Sequence, residues 1–177
     1  MALTGTPGTG KSSTARRLPA PLHAVEVREL ALRLDAGHRR GRGSVEVNMT
    51  QLRRAFRSWV RFAPEGVVVG HLAHFLPVSY VIVLRCNPLA LARRLRKMRR
   101  TSADRTANVL SETLDIVLVE ALAAGVPVRE VDTTGRSMAD VARTVEEIVR
   151  RRPAARYGRV NWLADRRVTE ELLRGRL

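Results

Sequence analysis

A chain of 177 residues, 45% hydrophobic and 28% charged, is sized for one domain with a real core and one main site. It has no apolar run approaching the ~18 residues of a membrane span, and its single cysteine, Cys86, excludes a disulfide framework and fits a cytoplasmic setting. The formal net charge of +15, from 32 basic and 17 acidic residues, favours a polyanionic partner such as RNA, although aromatic residues for base stacking make up only 4%.

Taken in chain order, Met1-Ala-Leu3 reads as a strand edge that feeds Gly5-Thr-Pro-Gly8-Thr-Gly10-Lys11-Ser12, a full match to the phosphate-binding loop G-x-x-x-x-G-K-[ST]. No basic-then-apolar leader is expected ahead of that loop. Its glycines let successive N–H groups turn onto the phosphates of a nucleoside triphosphate. Lys11 reaches the β- and γ-phosphates, and the Ser12 hydroxyl is offered to Mg²⁺. Ser13 stands where a dinucleotide fingerprint requires its third glycine, so that reading fails. A first helix follows from Ser13 to Leu18, then a strand His23–Val27 and a helix from Arg28 to Ala36 that Gly37 ends. His38-Arg-Arg-Gly-Arg-Gly43 reads as a cationic loop, and Thr50 as the N-cap of a helix through Leu52, Phe56 and Trp59.

Val67–Val69 and Tyr80–Leu84 are continuous β-branched runs, the pattern of parallel strands buried on both faces. Pro88 opens a helix to Arg100, with Leu91, Leu95 and Met98 on one side and Arg93, Arg96, Lys97 and Arg100 on the other. A break at Thr101-Ser102 precedes one helix to Ala124, and a strand Val128–Val131 follows Gly125-Val-Pro127. Asp132–Ser137 is a capping loop before a helix Met138–Arg152. Beyond Pro153 lies a basic tail in which Val160–Leu163 is expected to dock and Thr169–Leu173 to be helical. Alternating strands and helices after a phosphate loop specify a three-layer α/β fold of the P-loop NTPase type, with its chemistry at the carboxyl edge of the sheet.

Several segments together resemble the small archaeal and nuclear adenylate kinases: the loop through Ser13, Gly70-His-Leu-Ala-His74, Val83-Leu-Arg-Cys-Asn-Pro88, Ala92–Leu95, Asn108-Val109 with Glu112, Leu114-Asp115, and Asp132–Ser137. The likeness runs to about Trp162. It implies a nucleotide-kinase core with a five-stranded parallel sheet and a short lid, all in one domain over 1–177. The acceptor segment would span about 28–50, the lid about 98–108 and a basic tail about 153–177. The implied activity is phosphate transfer from ATP to AMP with Mg²⁺, alongside ATP hydrolysis and assistance to maturation of the small ribosomal subunit, with a ribosomal protein or ribosomal RNA as partner. Gly8, Thr9, Gly10, Lys11, Ser12 and Ser13 would bind the nucleotide, and Arg136 would lie in the loop over the adenine. Ser12 would serve the metal, His71 would order the reacting end of ATP, and Arg99 would be the lid contact. Arg85, Arg93, Arg96 and Arg100 are further candidates for neutralising the transferred group.

The chain departs from this family in three places. Val69 stands where the family usually has Asp or Glu, which leaves Mg²⁺ to Ser12, phosphates and water, with Asp132 or Asp35 as help, since Glu65 lies at the wrong end of its strand. The acceptor segment carries Arg39, Arg40 and Arg42 in place of acidic residues, so the acceptor is open, and the tail is more basic than a kinase core needs. Two other functions therefore stay in view, an RNA- or ribosome-associated ATP switch and a P-loop kinase for another small acceptor. His71 and His74 lack a third ligand for zinc, and Cys86 lacks a base to make it a nucleophile.

Overall fold

The computed structural model describes residues 1–20, 22, 24–40, 44–61, 66–98 and 101–175. Among them, five strands form one parallel sheet: β1 (Ala2–Thr4), β2 (Ala24–Glu26), β5 (Val67–Val69), β6 (Val81–Arg85) and β7 (Val128–Asp132), in the order β2-β5-β1-β6-β7. Parallel neighbours need crossovers, and the helices supply them. They are α1 (Lys11–Ala15), α2 (Val27–Arg33), α3 (Met49–Trp59), α4 (Pro88–Arg96), α5 (Ser102–Thr113), α6 (Ile116–Leu122), α7 (Met138–Arg151) and α8 (Arg166–Leu173). The outer order reverses around β1, and the crevice at that switch point is where an open α/β sheet receives ligands.

The strand pleat divides the core into two layers. Val81 and Val83 join Ala2 and Val68 beneath α2, α3 and α6. Ile82 and Leu84 join Leu3, Val67 and Val69 beneath α7, which contributes Val141, Val145 and Ile148. Continuous β-branched sequence forms these strands because both faces are covered. A smaller cluster of Cys86, Leu91, Leu95 and Val109 seats α4 and α5 behind the phosphate loop.

Four expected elements differ. The stretch read as a cationic loop is an antiparallel hairpin, β3 (Gly37–Arg40) with β4 (Ser44–Val47), in which Val45 opposes Arg39 and Glu46 opposes His38. An Arg40–Glu46 ion pair holds its outer side, and Val47 packs against the core. The N-cap of α3 is Asn48, whose side chain accepts from Gln51 N at 3.0 Å, so Thr50 lies within the helix. An extended Asn at this point satisfies an orphan donor as well as threonine does. The helix expected to run to Ala124 is two helices, α5 and α6, separated at Asp115, which has a left-handed φ of 56° and sends its carboxylate to Arg85. Finally, the strand and helix around residue 27 are shorter than expected: α2 begins at Val27 and ends at Arg33, ahead of Asp35 at φ 53°.

The tail closes the sheet's open edge. Arg156 bridges Arg129 of β7, accepting from Glu130 N at 3.0 Å and donating to Val128 O at 2.9 Å. Trp162 is buried, as the docking expectation required, and Asn87 at the start of α4 donates to Asp165 at the start of α8. The first part of the basic tail is thus occupied with the body of the protein.

Candidate active site

The loop between β1 and α1 takes its shape from glycines in conformations that other residues avoid. Gly5 has a φ of 138°, and a Cβ there would stand 2.3 Å from the Leu84 carbonyl oxygen. Gly8, at φ 96°, lies so close to Leu91 and Leu95 that a Cβ would meet them at 2.8 and 2.9 Å. Only glycine lets the loop lie this close against β6 and α4. Lys11 Nζ donates to Gly5 O at 2.7 Å and Thr6 O at 2.9 Å, which fixes the ammonium inside the curve of the loop. The Thr9 hydroxyl and its main-chain N–H both turn inward to Thr6 O, at 2.9 and 3.2 Å, so Thr9 is buried and braces the loop from behind the cavity lining.

This loop forms one wall of a cavity of about 920 Å³ at the carboxyl edge of the sheet. Gly8, Gly10, Lys11, Ser12 and Ser13 line it, and His71 lines it from the turn after β5. The opposite wall is Val27 and Arg28 of α2 with Val45 and Val47 of the hairpin, and Arg94, Met98 and Met138 complete the rim. A lysine, hydroxyls and a main-chain curve on one side, facing an apolar wall with an arginine on the other, suit two ligands that share a phosphate region.

Not every candidate reaches it. Arg136 donates to Asp132 O, Asp140 O and Thr144 Oγ1, which ties it to α7 and away from the cavity lining. Arg99, with Arg100 and Arg42, lies outside the described residues. Of the segment expected to be a lid, 98–108, residues 99 and 100 lie outside the described residues, and 102–108 are the first half of α5. Arg85 is not a phosphate ligand: it is buried and surrounded by Glu112, Glu130 and Asp115. Burial alone would lower its pKa, but Glu112 and Asp115 hold it above the ordinary arginine range. Arg93 and Arg96 point to solvent. The arginine of α4 that lines the cavity is Arg94, held by Thr133 Oγ1 at 3.2 Å and Thr133 O at 3.0 Å. Sequence reading missed it, although its place between the buried Leu91 and Leu95 put it at the margin of the buried face.

Of the arginines in the segment expected to bind the acceptor, Arg39 is absent from the lining and Arg40 is paired with Glu46, so Arg28 is the cation that this wall presents to the cavity. His74 turns away: its Nδ1 meets Thr4 Oγ1 at 2.9 Å and its Nε2 lies 3.3 Å from Glu120, so it shares no ligand site with His71. No cluster of three metal-ligating side chains occurs among the described residues. Cys86 is fully buried, and burial pushes its thiol above its ordinary pKa, which suits packing and not nucleophilic attack.

The fit to magnesium rests on oxygen donors, which this hard cation requires. Ser12 lines the cavity, and so does Glu26 at the end of β2, whereas Asp132 accepts from Thr134 and Asp35 is exposed, with neither in the lining. A hydroxyl and a carboxylate beside a phosphate loop are a donor set that fits Mg²⁺. In that place the ion would screen phosphate charge, held from the protein by Ser12.

Comparison with known proteins agrees with this geometry. A family model described as "AAA domain" matches residues 1–115. A protein of Archaeoglobus fulgidus named "Putative adenylate kinase" is 39% identical over 170 residues, covering 93% of this chain and 92% of its own. A protein of the same name from Pyrococcus furiosus is 37% identical over 177 residues, covering 98% and 94%. Among solved structures, shikimate kinase from Acinetobacter baumannii superposes with a TM-score of 0.52 at 14% identity over 84% of this chain and 90% of that one, a likeness of fold. The chain belongs to the AAA-domain family and, at this identity over nearly its whole length, to one family with these archaeal relatives.

Proposed function

We propose that this protein is a nucleoside monophosphate kinase of the adenylate kinase type, transferring the terminal phosphoryl group of ATP to AMP with Mg²⁺. One observation carries the reading: the phosphate loop with Lys11 and Ser12 opens into a cavity whose far wall presents Arg28 between Val27 and the hairpin valines. A triphosphate and an acceptor phosphate then meet between Lys11 and Arg28. The names of the archaeal relatives, "Putative adenylate kinase", support AMP as the acceptor in this reading.

Phosphoryl transfer asks little of a protein beyond alignment and charge. Lys11, already aimed by the Gly5 and Thr6 carbonyls, neutralises the transferred group as charge spreads over its oxygens. Gly8 and Gly10 offer main-chain N–H groups, Ser12 and Ser13 offer hydroxyls, and Thr9 holds the loop's curve through Thr6 O. Arg28 holds the acceptor, and Arg94 closes the reacting region from α4. His71, on the turn after β5, orders the phosphate end, and Arg99 is assigned the lid contact. With water in place of the acceptor the same arrangement hydrolyses ATP. A cytoplasmic location suits these substrates.

The test is product analysis with labelled ATP and a panel of nucleoside monophosphates and simple alcohols. ADP forms fastest with AMP, and Lys11→Ala lowers that rate by at least about 100-fold, the scale of losing one preorganised charge. Equal rates in both proteins would remove the mechanism. A second reading, an RNA- or ribosome-associated ATP switch that assists small-subunit maturation, draws on the net charge of +15 and on the solvent-facing Arg93, Arg96 and Lys97 of α4. It requires binding to ribosomal RNA that weakens steeply with salt and changes with ATP.

A further inference from the structure

We infer that Glu26 supplies the carboxylate for the divalent cation in this site, one strand away from the position that Val69 has made apolar. The sheet register carries the assignment: β2 pairs with β5 in parallel, with Ala24 opposite Val67, Val25 opposite Val68 and Glu26 opposite Val69. Paired residues on parallel neighbours project to the same face about 4.8 Å apart. Consistent with that, Ala24 and Val67, two residues back, share the core layer beneath α7. A carboxylate at position 26 therefore stands level with position 69 at the carboxyl edge.

The surroundings separate the two positions chemically. Val69 lines the cavity too, but it is 0% exposed, packs in the core layer beneath α7 and brings no donor for a cation. Glu26 is half-buried and is the only acidic residue among the described residues lining the cavity that Lys11 and Ser12 also line. Its carboxylate makes no ion pair or hydrogen bond among the described residues. The other acids near the sheet edge are occupied: Glu112, Glu130 and Asp115 surround Arg85, and Asp132 holds Thr134. A carboxylate kept unpaired in a cavity that a lysine, a serine hydroxyl and a phosphate loop also line is a hard ligand for Mg²⁺ or for its water.

The assignment presupposes the nucleotide reading, so the test separates the two. Calorimetric titration of ATP is run with Mg²⁺ and with a chelator, and Mn²⁺ affinity in the presence of ADP is measured by electron paramagnetic resonance, for wild type, Glu26→Gln and Glu26→Asp. Metal-free ATP affinity is expected to be equal or slightly higher in Glu26→Gln, which also reports an intact fold. The Mn²⁺ affinity falls about 10- to 100-fold in Glu26→Gln, and by a smaller factor in Glu26→Asp, which keeps the charge but withdraws it by one methylene. Unchanged Mn²⁺ affinity in both variants, with ATP still bound, would overturn the role of Glu26 and leave the kinase reading standing. Wild type that binds no ATP in either condition would overturn both. If Glu26→Gln does not fold, unchanged Mn²⁺ affinity in Glu26→Asp overturns the role by itself.

Discussion

Replacing Glu112 of α5 with alanine takes one buried carboxylate away from four donors that come from three other parts of the chain. Oε1 accepts from Arg85 Nε at 2.9 Å, Cys86 N at 3.0 Å and Trp162 Nε1 at 3.0 Å, and Oε2 accepts from Thr6 Oγ1 at 2.6 Å. The phosphate loop, the end of β6, helix α5 and the tail therefore converge on one residue. Deleting a partner from a buried ion pair costs about 3–5 kcal/mol when the other charge is left alone. Arg85 is not left alone, because Glu130 at 2.5 Å and Asp115 remain, so the ionic part falls below that range. Each neutral donor left dry costs about 1 kcal/mol, and water admitted to the hole returns some of it.

The sum is about 4 kcal/mol, a large share of the ~5–15 kcal/mol that holds a domain folded. At ~2–4 °C per kcal/mol for a chain of this size, Tm falls by about 8–16 °C, read by far-ultraviolet circular dichroism. Trp162→Phe removes one donor only and lowers Tm by about 2–4 °C. Added to Glu112→Ala it costs less than it does alone, because its acceptor has already gone. A Tm within about 3 °C of wild type for Glu112→Ala would refute the convergence.

Two further outcomes follow from buried groups. Burial lowers His74 from its ordinary 6.5 to about 4. The opposing pull of Glu120 is weak because that side chain is 41% exposed, and Arg53 and Arg57 line the same surface pocket. The folded protein keeps the imidazole neutral while the unfolded chain protonates near 6.5, so stability is complete above that pH. It declines toward pH 4 by up to roughly 1.4 kcal/mol per pH unit. Urea midpoints across this window should fall in wild type and fall less in His74→Gln; equal slopes would contradict it. Gly5→Ala forces a Cβ against main chain at φ 138°, whereas Gly135→Ala, at φ 68° with open space around it, meets only the backbone penalty of ~1–2 kcal/mol. The first should lose soluble folded protein or ATP binding and the second should retain both; equal behaviour would mean that the loop is not packed against Leu84.

The parts of the fold that were legible in the sequence are those set by local chemistry. Continuous Val and Ile runs gave β5 and β6, Pro88 gave the start of α4, and Ser137 caps α7 by accepting from Asp140 N at 3.1 Å. What sequence reading missed depends on distant partners. The division of α5 from α6 at Asp115, and the burial of Arg85, are one event: carboxylates 27, 30 and 45 residues downstream gather on one guanidinium. A solvated face is the sound expectation for an arginine at a strand end, and only tertiary pairing overrides it. The hairpin escaped for a similar reason, since the Arg-Gly run reads as a loop until Val45 and Val47 find an apolar wall.

The candidate site divides along the same line. Residues within the phosphate loop were legible because their spacing encodes the cradle itself. Glu26, Arg28 and Arg94 were not, because each enters from a different element and carries no motif. A cross-strand alignment of β2 with β5 would have found Glu26, since both strands end at the sheet edge that the loop defines. The charge excess misled in the other direction. Lys11, Arg28, Arg94 and Glu26 are the charged residues among the described lining, whereas Arg93, Arg96 and Lys97 of α4 face solvent. The net charge of +15 is therefore carried mainly away from the cavity, and binding to a polyanion would draw on a different set of residues from phosphoryl transfer. Removing the outward charges Arg93, Arg96 and Lys97 should weaken the first while sparing the second, because α4 is seated by Leu91, Leu95 and the Arg94–Thr133 hydrogen bonds, which these changes leave in place.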